Sequence, residues 1–138
     1  MSQDLIFAPM GALALLTFAV LSIIPARRFR AGAAGRVTAE DFRFGESPTV
    51  PGDVSIPNRN YMNLLELPTL FFAVCLMFYV ARRVDLAALV TAWTFVGLRV
   101  AHSAVHLTYN NVMHRLSAFA ASNVALGVLW VMFFVKHP

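Results

Sequence analysis

The sequence LIFAPMGALALLTFAVLSIIPA occupies residues 5–26 and contains no ionised side chain. A helix that crosses the ~30 Å hydrocarbon core of a bilayer needs about 20 consecutive apolar residues, and this stretch has that length. Its small residues Gly11, Ala12 and Ala14 suit close contact between helices inside a membrane. We therefore predict that residues 5–26 form a membrane-spanning helix.

Three further stretches are long and apolar enough to cross a membrane. Short connections separate them, whereas the only long polar segment, residues 27–60, is rich in glycine and proline and is expected to be an irregular loop at the membrane surface. The sequence thus predicts an all-α integral membrane four-helix bundle, with one domain over residues 1–138. The expected helices are residues 5–26, 61–82, 86–106 and 116–135.

The composition supports a membrane protein. Hydrophobic residues make up 59% of the chain and charged residues 13%, with a mean hydropathy of +0.67. Soluble domains average about 45–50% apolar and about 25% charged residues, so this chain lacks the charged surface that a water-soluble fold needs. The lone Cys75 lies in an apolar run and is interpreted as a buried or lipid-facing apolar residue.

The basic residues predict the orientation of the chain. The net charge is +4, and six of the eleven basic residues lie in the 27–60 loop. A nucleic-acid binder carries its basic face on a soluble fold, so no nucleic-acid partner is expected. The positive-inside rule places the loop in the cytoplasm and both termini on the opposite side. The expected location is a bacterial inner membrane.

The second expected helix carries polar residues on one face. Ionisable groups in hydrocarbon cost about 2.5–3.5 kcal/mol on insertion scales, so they are candidates for function. Arg59, Asn63 and Glu66 fall at i, i+4 and i+7, which is one helix face. The alternative is a salt bridge from Glu66 to Arg59 or Arg99 that only holds helices together, and the sequence alone leaves both interpretations open.

The third helix carries a second polar face, with Arg99, His102 and His106 at i, i+3 and i+7. Arginine binds carboxylates through its fork of donors, and glutamate can hold an ammonium group. The two faces together therefore suit a zwitterionic small molecule with more carboxylates than amines. No metal site is expected: the two histidines could share a metal with Glu66, but the nearby arginines repel cations.

These motifs resemble the MAPEG family, the membrane-associated proteins in eicosanoid and glutathione metabolism. RNYMNLLELP, residues 59–68, is similar to the family signature of arginine, asparagine and glutamate followed by proline. LRVAHSAVH, residues 98–106, is similar to the family's third helix, and Arg115 matches the arginine that opens the fourth. The resemblance covers the whole chain and is to the microsomal glutathione transferases.

The resemblance implies a homotrimer with a glutathione cleft between subunits, open to the cytoplasm. Glutathione would be the co-substrate, and an apolar electrophile or lipid hydroperoxide would arrive from the membrane. Arg115 would be catalytic by stabilising the glutathione thiolate, since a free thiol has a pKa near 8.5 and a guanidinium favours the anion. The implied glutathione-binding residues are Arg27 from the adjacent subunit, Arg59, Asn63, Glu66, Arg99, His102 and His106.

The implied function is that of a membrane-bound glutathione transferase or peroxidase, and two alternatives stay open. Leu116 and Phe119 stand where some members carry serine or tyrosine, and His106 stands where tyrosine occurs in part of the family. These departures disfavour the eicosanoid-specific branches of the family. Leu116 and Phe119 also favour a non-catalytic member that binds lipid or a protein partner. The third hypothesis is a small transporter or channel, which the lack of an inverted repeat disfavours. Its relay residues would be Glu66, Arg99 and His102.

Overall fold

The computed structural model describes residues 1–136, and that part of the chain folds into helices without a β-strand. Four segments are long and apolar enough to cross a membrane: Gln3–Ala33, Gly52–Val80, Leu86–Leu107 and Val112–Val135. The predicted all-α fold with four membrane-spanning segments is confirmed. The helices are α1 (Phe7–Ala33), α2 (Gly52–Leu65), α3 (Pro68–Val80), α4 (Leu86–Leu107) and α5 (Val112–Val135), with short 3₁₀ helices at Gln3–Ile6 and Ala39–Phe42.

The first connection is shorter than the predicted loop over residues 27–60, and both predicted bounds of that loop are wrong. Helix α1 continues to Ala33 because its extension is rich in arginine and alanine, which are good helix formers. The helix ends in a Schellman motif, in which Gly35 adopts a left-handed φ of 71°. The amide of Arg36 donates to the Ala31 carbonyl at 2.9 Å, and the Gly35 amide donates to the Gly32 carbonyl at 3.0 Å.

The second span contains a break just before Pro68. Helix α2 begins at Gly52 rather than at residue 61 and ends at Leu65, and Glu66 leaves helical geometry with a ψ of −102°. Pro68 has no amide hydrogen, so it occupies the first turn of α3, where the donor is not needed. The break turns the backbone at Glu66, so the predicted single helix over residues 61–82 is two helices.

The core lies between the membrane-spanning helices and is rich in aromatic rings. Phe71 on α3 stacks on Phe95 of α4 with ring centroids 4.6 Å apart, and Phe78 meets Phe133 of α5 edge to face at 5.2 Å. Cys75 is fully buried in the same cluster, in agreement with its interpretation as an apolar residue. Since lipid is as apolar as these side chains, tight packing rather than removal from water holds the helices together.

The connection over residues 34–51 is ordered by polar contacts. Asp41 accepts the backbone amide of Thr38 at 2.8 Å and closes a capping box around the short Ala39–Phe42 helix. That hydrogen bond is the main reason why the pKa of Asp41 lies below its ordinary value, although partial desolvation acts in the opposite direction. Arg36 adds a two-pronged ion pair to Asp53 of α2, at 3.0 and 2.7 Å.

We expect Phe71→Ala to lower the free energy of unfolding by about 3 kcal/mol, because it removes the stack on Phe95 and leaves a cavity. Thermal unfolding of the purified protein in detergent measures this change. Phe18→Ala is the control: Phe18 on α1 is 65% exposed on the single chain, and its loss should cost less than about 0.5 kcal/mol. Equal effects of the two variants would contradict the packing described above.

Candidate functional site

Two adjoining cavities of about 230 and 210 Å³ lie between α2, α4 and the start of α5. They share Asn63 and Arg115, so these two side chains stand between them. Five of the residues predicted from the sequence line these cavities: Arg59, Asn63, His102, His106 and Arg115. The remaining lining residues are Val112, Leu116 and Phe119 in the first cavity and Ile56 and Asn110 in the second.

Arg115 lies in the first turns of α5 and is held there by a neighbour. Its Nη1 donates to Oδ1 of Asn110 at 2.7 Å. Asn111 caps the helix by accepting the amide of His114 at 3.0 Å. A helix N-terminus carries a partial positive charge, so an anion in these cavities is attracted by the guanidinium and by the helix dipole together.

Two buried imidazoles line the cavities with unpartnered nitrogens. His102 is 3% exposed and His106 4% exposed. Nδ1 of His102 lies 3.1 Å from the carbonyl oxygen of Arg115 and must be the donor, because a carbonyl only accepts. Within residues 1–136, Nε2 of His102 and Nδ1 of His106 have no hydrogen-bond partner. Buried polar atoms are normally paired, so these nitrogens are available to a guest.

Arg99 is completely buried behind the cavities rather than lining them. Its Nη2 donates to Oδ1 of Asn123 at 3.3 Å, and its guanidinium carbon lies 5.1 Å from the ring centroid of Phe119 and 5.4 Å from that of Phe95. Its Nε and Nη1 have no partner in the described part of the chain. Glu66 lies close enough to attract it electrostatically. The predicted site residue Arg99 therefore backs the site and supports Phe119, which does line it.

The salt-bridge interpretation of Glu66 is not supported. No ion pair joins Glu66 to Arg59 or Arg99 in the structure of residues 1–136, and both Glu66 and Arg59 are exposed on the single chain. Glu66 lies at the break between α2 and α3, outside the two cavities. These charges are thus not locked to each other, and Arg59 is exposed at the edge of the second cavity, which it lines.

Arg27 lies apart from the cavities and has a structural role within its own chain. Its Nη1 donates to the carbonyl of Asp53 at 2.9 Å, and its Nη2 donates to the carbonyl of Leu107 at 3.2 Å. Pro57 lacks the amide that would otherwise bond the Asp53 carbonyl inside α2, and Leu107 is the last residue of α4. The guanidinium therefore joins the ends of three helices. The role implied for Arg27 in a neighbouring subunit stays a prediction.

The sequence reasoning missed two asparagines. Asn110 holds Arg115 and lines the second cavity, and Asn123 is the hydrogen-bond partner of Arg99. The Asn110–Asn111 pair before an apolar run is a recognisable helix-start signal, since asparagine favours caps and left-handed backbone. Asn123 was visible as a polar residue inside the fourth apolar stretch, four positions after Phe119.

Comparison with known families identifies the family of the chain. A model described as the MAPEG family matches residues 6–135, nearly the whole chain. The chain belongs to the MAPEG family. No curated protein and no solved structure gives a significant match. Membership and the four apolar spans together make this a multi-pass integral membrane protein. The MAPEG family includes glutathione transferases and peroxidases as well as other members, so it does not by itself define the reaction.

Asn110 offers a test of how Arg115 is held. Its φ is 48°, a left-handed conformation that costs alanine about 1 kcal/mol and glycine almost nothing. We expect Asn110→Ala to be less stable than Asn110→Gly by about 1 kcal/mol in thermal unfolding, although both variants lose the hydrogen bond to Arg115. Equal stability of the two variants would show that the turn relaxes and does not hold Arg115 by its backbone.

Proposed function

We propose that this MAPEG protein is a membrane-bound glutathione transferase or peroxidase that acts on apolar electrophiles or lipid hydroperoxides. The observation that carries the proposal is the position of Arg115, whose guanidinium stands between two cavities at the N-terminus of a membrane-spanning helix. A thiol at that point would be favoured as the thiolate, which is the nucleophilic form.

The charges around the cavities complement those of glutathione. Glutathione has two carboxylates, one ammonium group and a thiol, so it needs more cationic than anionic partners. Arg59 and Arg115 supply guanidinium groups, and Asn63 supplies an amide that can bond to peptide groups. Glu66 is exposed and unpaired nearby, within residues 1–136, and suits the ammonium group. His102 and His106 contribute imidazole nitrogens from α4, and Arg99 supports the site from behind Phe119.

The reaction follows from thiolate stabilisation. Arg115 holds the sulfur anion, which attacks an electrophilic carbon and forms a carbon–sulfur bond while the leaving group departs with the electron pair of the broken bond. With a hydroperoxide the sulfur attacks the outer oxygen, and the alkoxide that leaves takes up a proton to become an alcohol. A second glutathione then converts the oxidised sulfur to the disulfide with release of water.

The first cavity has an apolar side that would admit the co-substrate from the bilayer. Val112 and Leu116 on α5 are 60% and 53% exposed, and Phe119 continues the same wall. An apolar electrophile dissolved in lipid can approach along this wall without crossing water. The guanidinium of Arg115 and the apolar wall thus meet at one cavity, which is the arrangement that a lipid-soluble electrophile and a peptide thiolate require.

Substitution of the two arginines tests the proposal. We expect Arg59→Ala to weaken glutathione binding about tenfold in isothermal titration in detergent, since it removes a charge-assisted contact. Arg115→Gln should abolish the thiolate absorbance that appears near ~240 nm when glutathione is added. It should also abolish conjugation of chlorodinitrobenzene.

Arg43→Ala is the matched control, because Arg43 is exposed on the connection, where its guanidinium pairs with Glu40 at 3.5 Å and lies 5.2 Å from the ring centroid of Phe44, away from both cavities. It should bind and conjugate like the wild type. Absence of binding heat with the wild-type protein would refute glutathione as the ligand.

The second candidate function is that of a non-catalytic MAPEG protein that binds lipid or a partner. The observation in its favour is that Leu116 and Phe119 line the first cavity, so neither position offers a hydroxyl group to the sulfur. This candidate predicts that glutathione or lipid binds without a thiolate band and without conjugation. A thiolate band that disappears in Arg115→Gln would exclude it.

We also propose that the protein is a homotrimer in the bacterial inner membrane with its first connection and its glutathione cleft in the cytoplasm. The exposed Arg59 and Glu66 support an assembly, because a neighbouring subunit would shield them from lipid. Cysteine labelling checks the orientation, since Cys75 is buried and unreactive towards bulky reagents.

In spheroplasts, a membrane-impermeant maleimide should label Ala81→Cys, in the α3–α4 turn, but not Phe44→Cys, in the first connection. Phe44 is 93% exposed, so a cysteine at this position would escape labelling only by lying on the cytoplasmic side of the membrane. Labelling of Phe44→Cys would reverse the proposed orientation. Native mass spectrometry should show three chains of 15.2 kDa, and a monomer or dimer would contradict the assembly.

A further inference from the structure

A groove of about 630 Å³ lies between the end of α1 and the Ala39–Phe42 helix. It shares no lining residue with the two cavities of the candidate site. Its walls are mostly apolar, and it lies where a membrane-spanning helix ends. The lining residues are Ile24, Pro25, Arg28, Phe29, Gly32, Ala33, Val37, Thr38, Ala39 and Phe42.

Arg28 is the only charged residue that lines this groove. Its guanidinium carbon lies 4.4 Å from the ring centroid of Phe42, and its Nη2 donates to Glu46 at 3.0 Å. Its side chain is 32% exposed, and within residues 1–136 its Nε and Nη1 have no hydrogen-bond partner. One edge of the guanidinium is therefore fixed by the protein, while Nη1 is open to an anion at the mouth of the groove.

Arg28 is the cation that the groove offers to an anion. Glu46 accepts a hydrogen bond from Nη2 of Arg28, and the carboxylate of Asp41 accepts hydrogen bonds from Thr38 and Thr49, so Nη1 of Arg28 is left for a guest. An apolar groove with a basic mouth complements a molecule that has an anionic head and an apolar tail.

We propose that this groove binds an anionic phospholipid of the surrounding bilayer, with an acyl chain in the groove and the head-group phosphate at Arg28. The end of a membrane-spanning helix lies at the depth of the lipid head groups, where such molecules are abundant and basic side chains attract them. Phe29, which is 79% exposed beside the groove, is of a kind that anchors at the membrane interface. The groove is separate from the proposed glutathione site, so this proposal does not depend on glutathione binding.

Gly32 allows a direct test of the acyl chain's position. A Cβ atom at Gly32 would meet nothing within 4 Å, so a larger side chain enters the groove without disturbing the fold. We expect Gly32→Leu to reduce retained lipid about fivefold in native mass spectrometry of protein reconstituted with phosphatidylglycerol and then extracted in mild detergent. Gly11→Leu is the matched control, because Gly11 is also helical, exposed and open around its Cβ, and it should retain lipid like the wild type.

Substitutions of Arg28 and Glu46 test the position of the head group, because they should change the lipid preference in opposite directions. Arg28→Gln should remove the preference for phosphatidylglycerol over phosphatidylcholine of the same acyl chains, a loss of about fivefold. Glu46→Gln releases the competing carboxylate from Arg28 and should increase that preference. A phosphatidylglycerol that carries a photoreactive acyl chain should crosslink to the residues 24–42 segment in the wild type but not in Gly32→Leu.

Four results would overturn the proposal. The first is unchanged lipid retention and crosslinking in Gly32→Leu, and the second is an unchanged head-group preference in both Arg28→Gln and Glu46→Gln. The third is a change in oligomeric mass in Gly32→Leu with no effect on lipid, which would assign the groove to a second copy of the chain. Equal displacement of the lipid by a free fatty acid would assign it to a carboxylate amphiphile instead.

Discussion

Backbone carbonyls left free inside a membrane must find donors within the protein, because hydrocarbon supplies none. Pro57 removes the helical partner of the Asp53 carbonyl, and the end of α4 leaves the Leu107 carbonyl free. Arg27 satisfies both with one guanidinium at 2.9 and 3.2 Å. It thereby joins α1, α2 and α4 at the end of the bundle where the candidate cavities lie. The positions of Arg59, Asn63 and His106 depend on how α2 faces α4. This contact and the buried hydrogen bond from Ser103 of α4 to Asn60 of α2 at 3.2 Å hold the two helices together.

The sequence predicted the number of spans and their order because span length is a local property. Twenty or so apolar residues are visible in one window, and neither packing nor partners change that requirement. The extent of the first connection was not predictable in the same way. Its glycines and prolines suggested a loop, yet Gly35 serves as a helix terminator and Pro57 lies inside a helix whose lost hydrogen bond Arg27 replaces. This hydrogen bond joins Arg27 to Asp53, which is 26 positions away in the chain, so a local sequence window does not reveal it.

The residues of the candidate site show the same difference: helical spacing predicted some of them, and others depend on how the helices pack. Residues at helical spacing, such as His102 and His106, were placed on one face by periodicity, and the structure brings both to the cavities with Arg59, Asn63 and Arg115. Arg99 has the same spacing but lies behind Phe119, since a fully buried position depends on what the facing helix presents. Asn110 could be recognised only as a cap. Its bond to Arg115 requires the left-handed turn that bends the backbone between α4 and α5.

The polar groups that the single chain leaves unpaired are concentrated on one side of the bundle. Within residues 1–136, Arg99 keeps two unpartnered donors, and His102 and His106 keep one unpartnered ring nitrogen each; all three residues lie on α4. Leaving a buried polar atom without a partner costs about 1–3 kcal/mol, so a fold selected for stability alone would pair these atoms or replace them with apolar groups. The proposed guest would pair the histidine nitrogens from cavities that Arg115 and a helix N-terminus make positive. The groove beside α1 has the opposite character, with an apolar interior and one basic residue at its mouth, so the two places suit chemically different molecules.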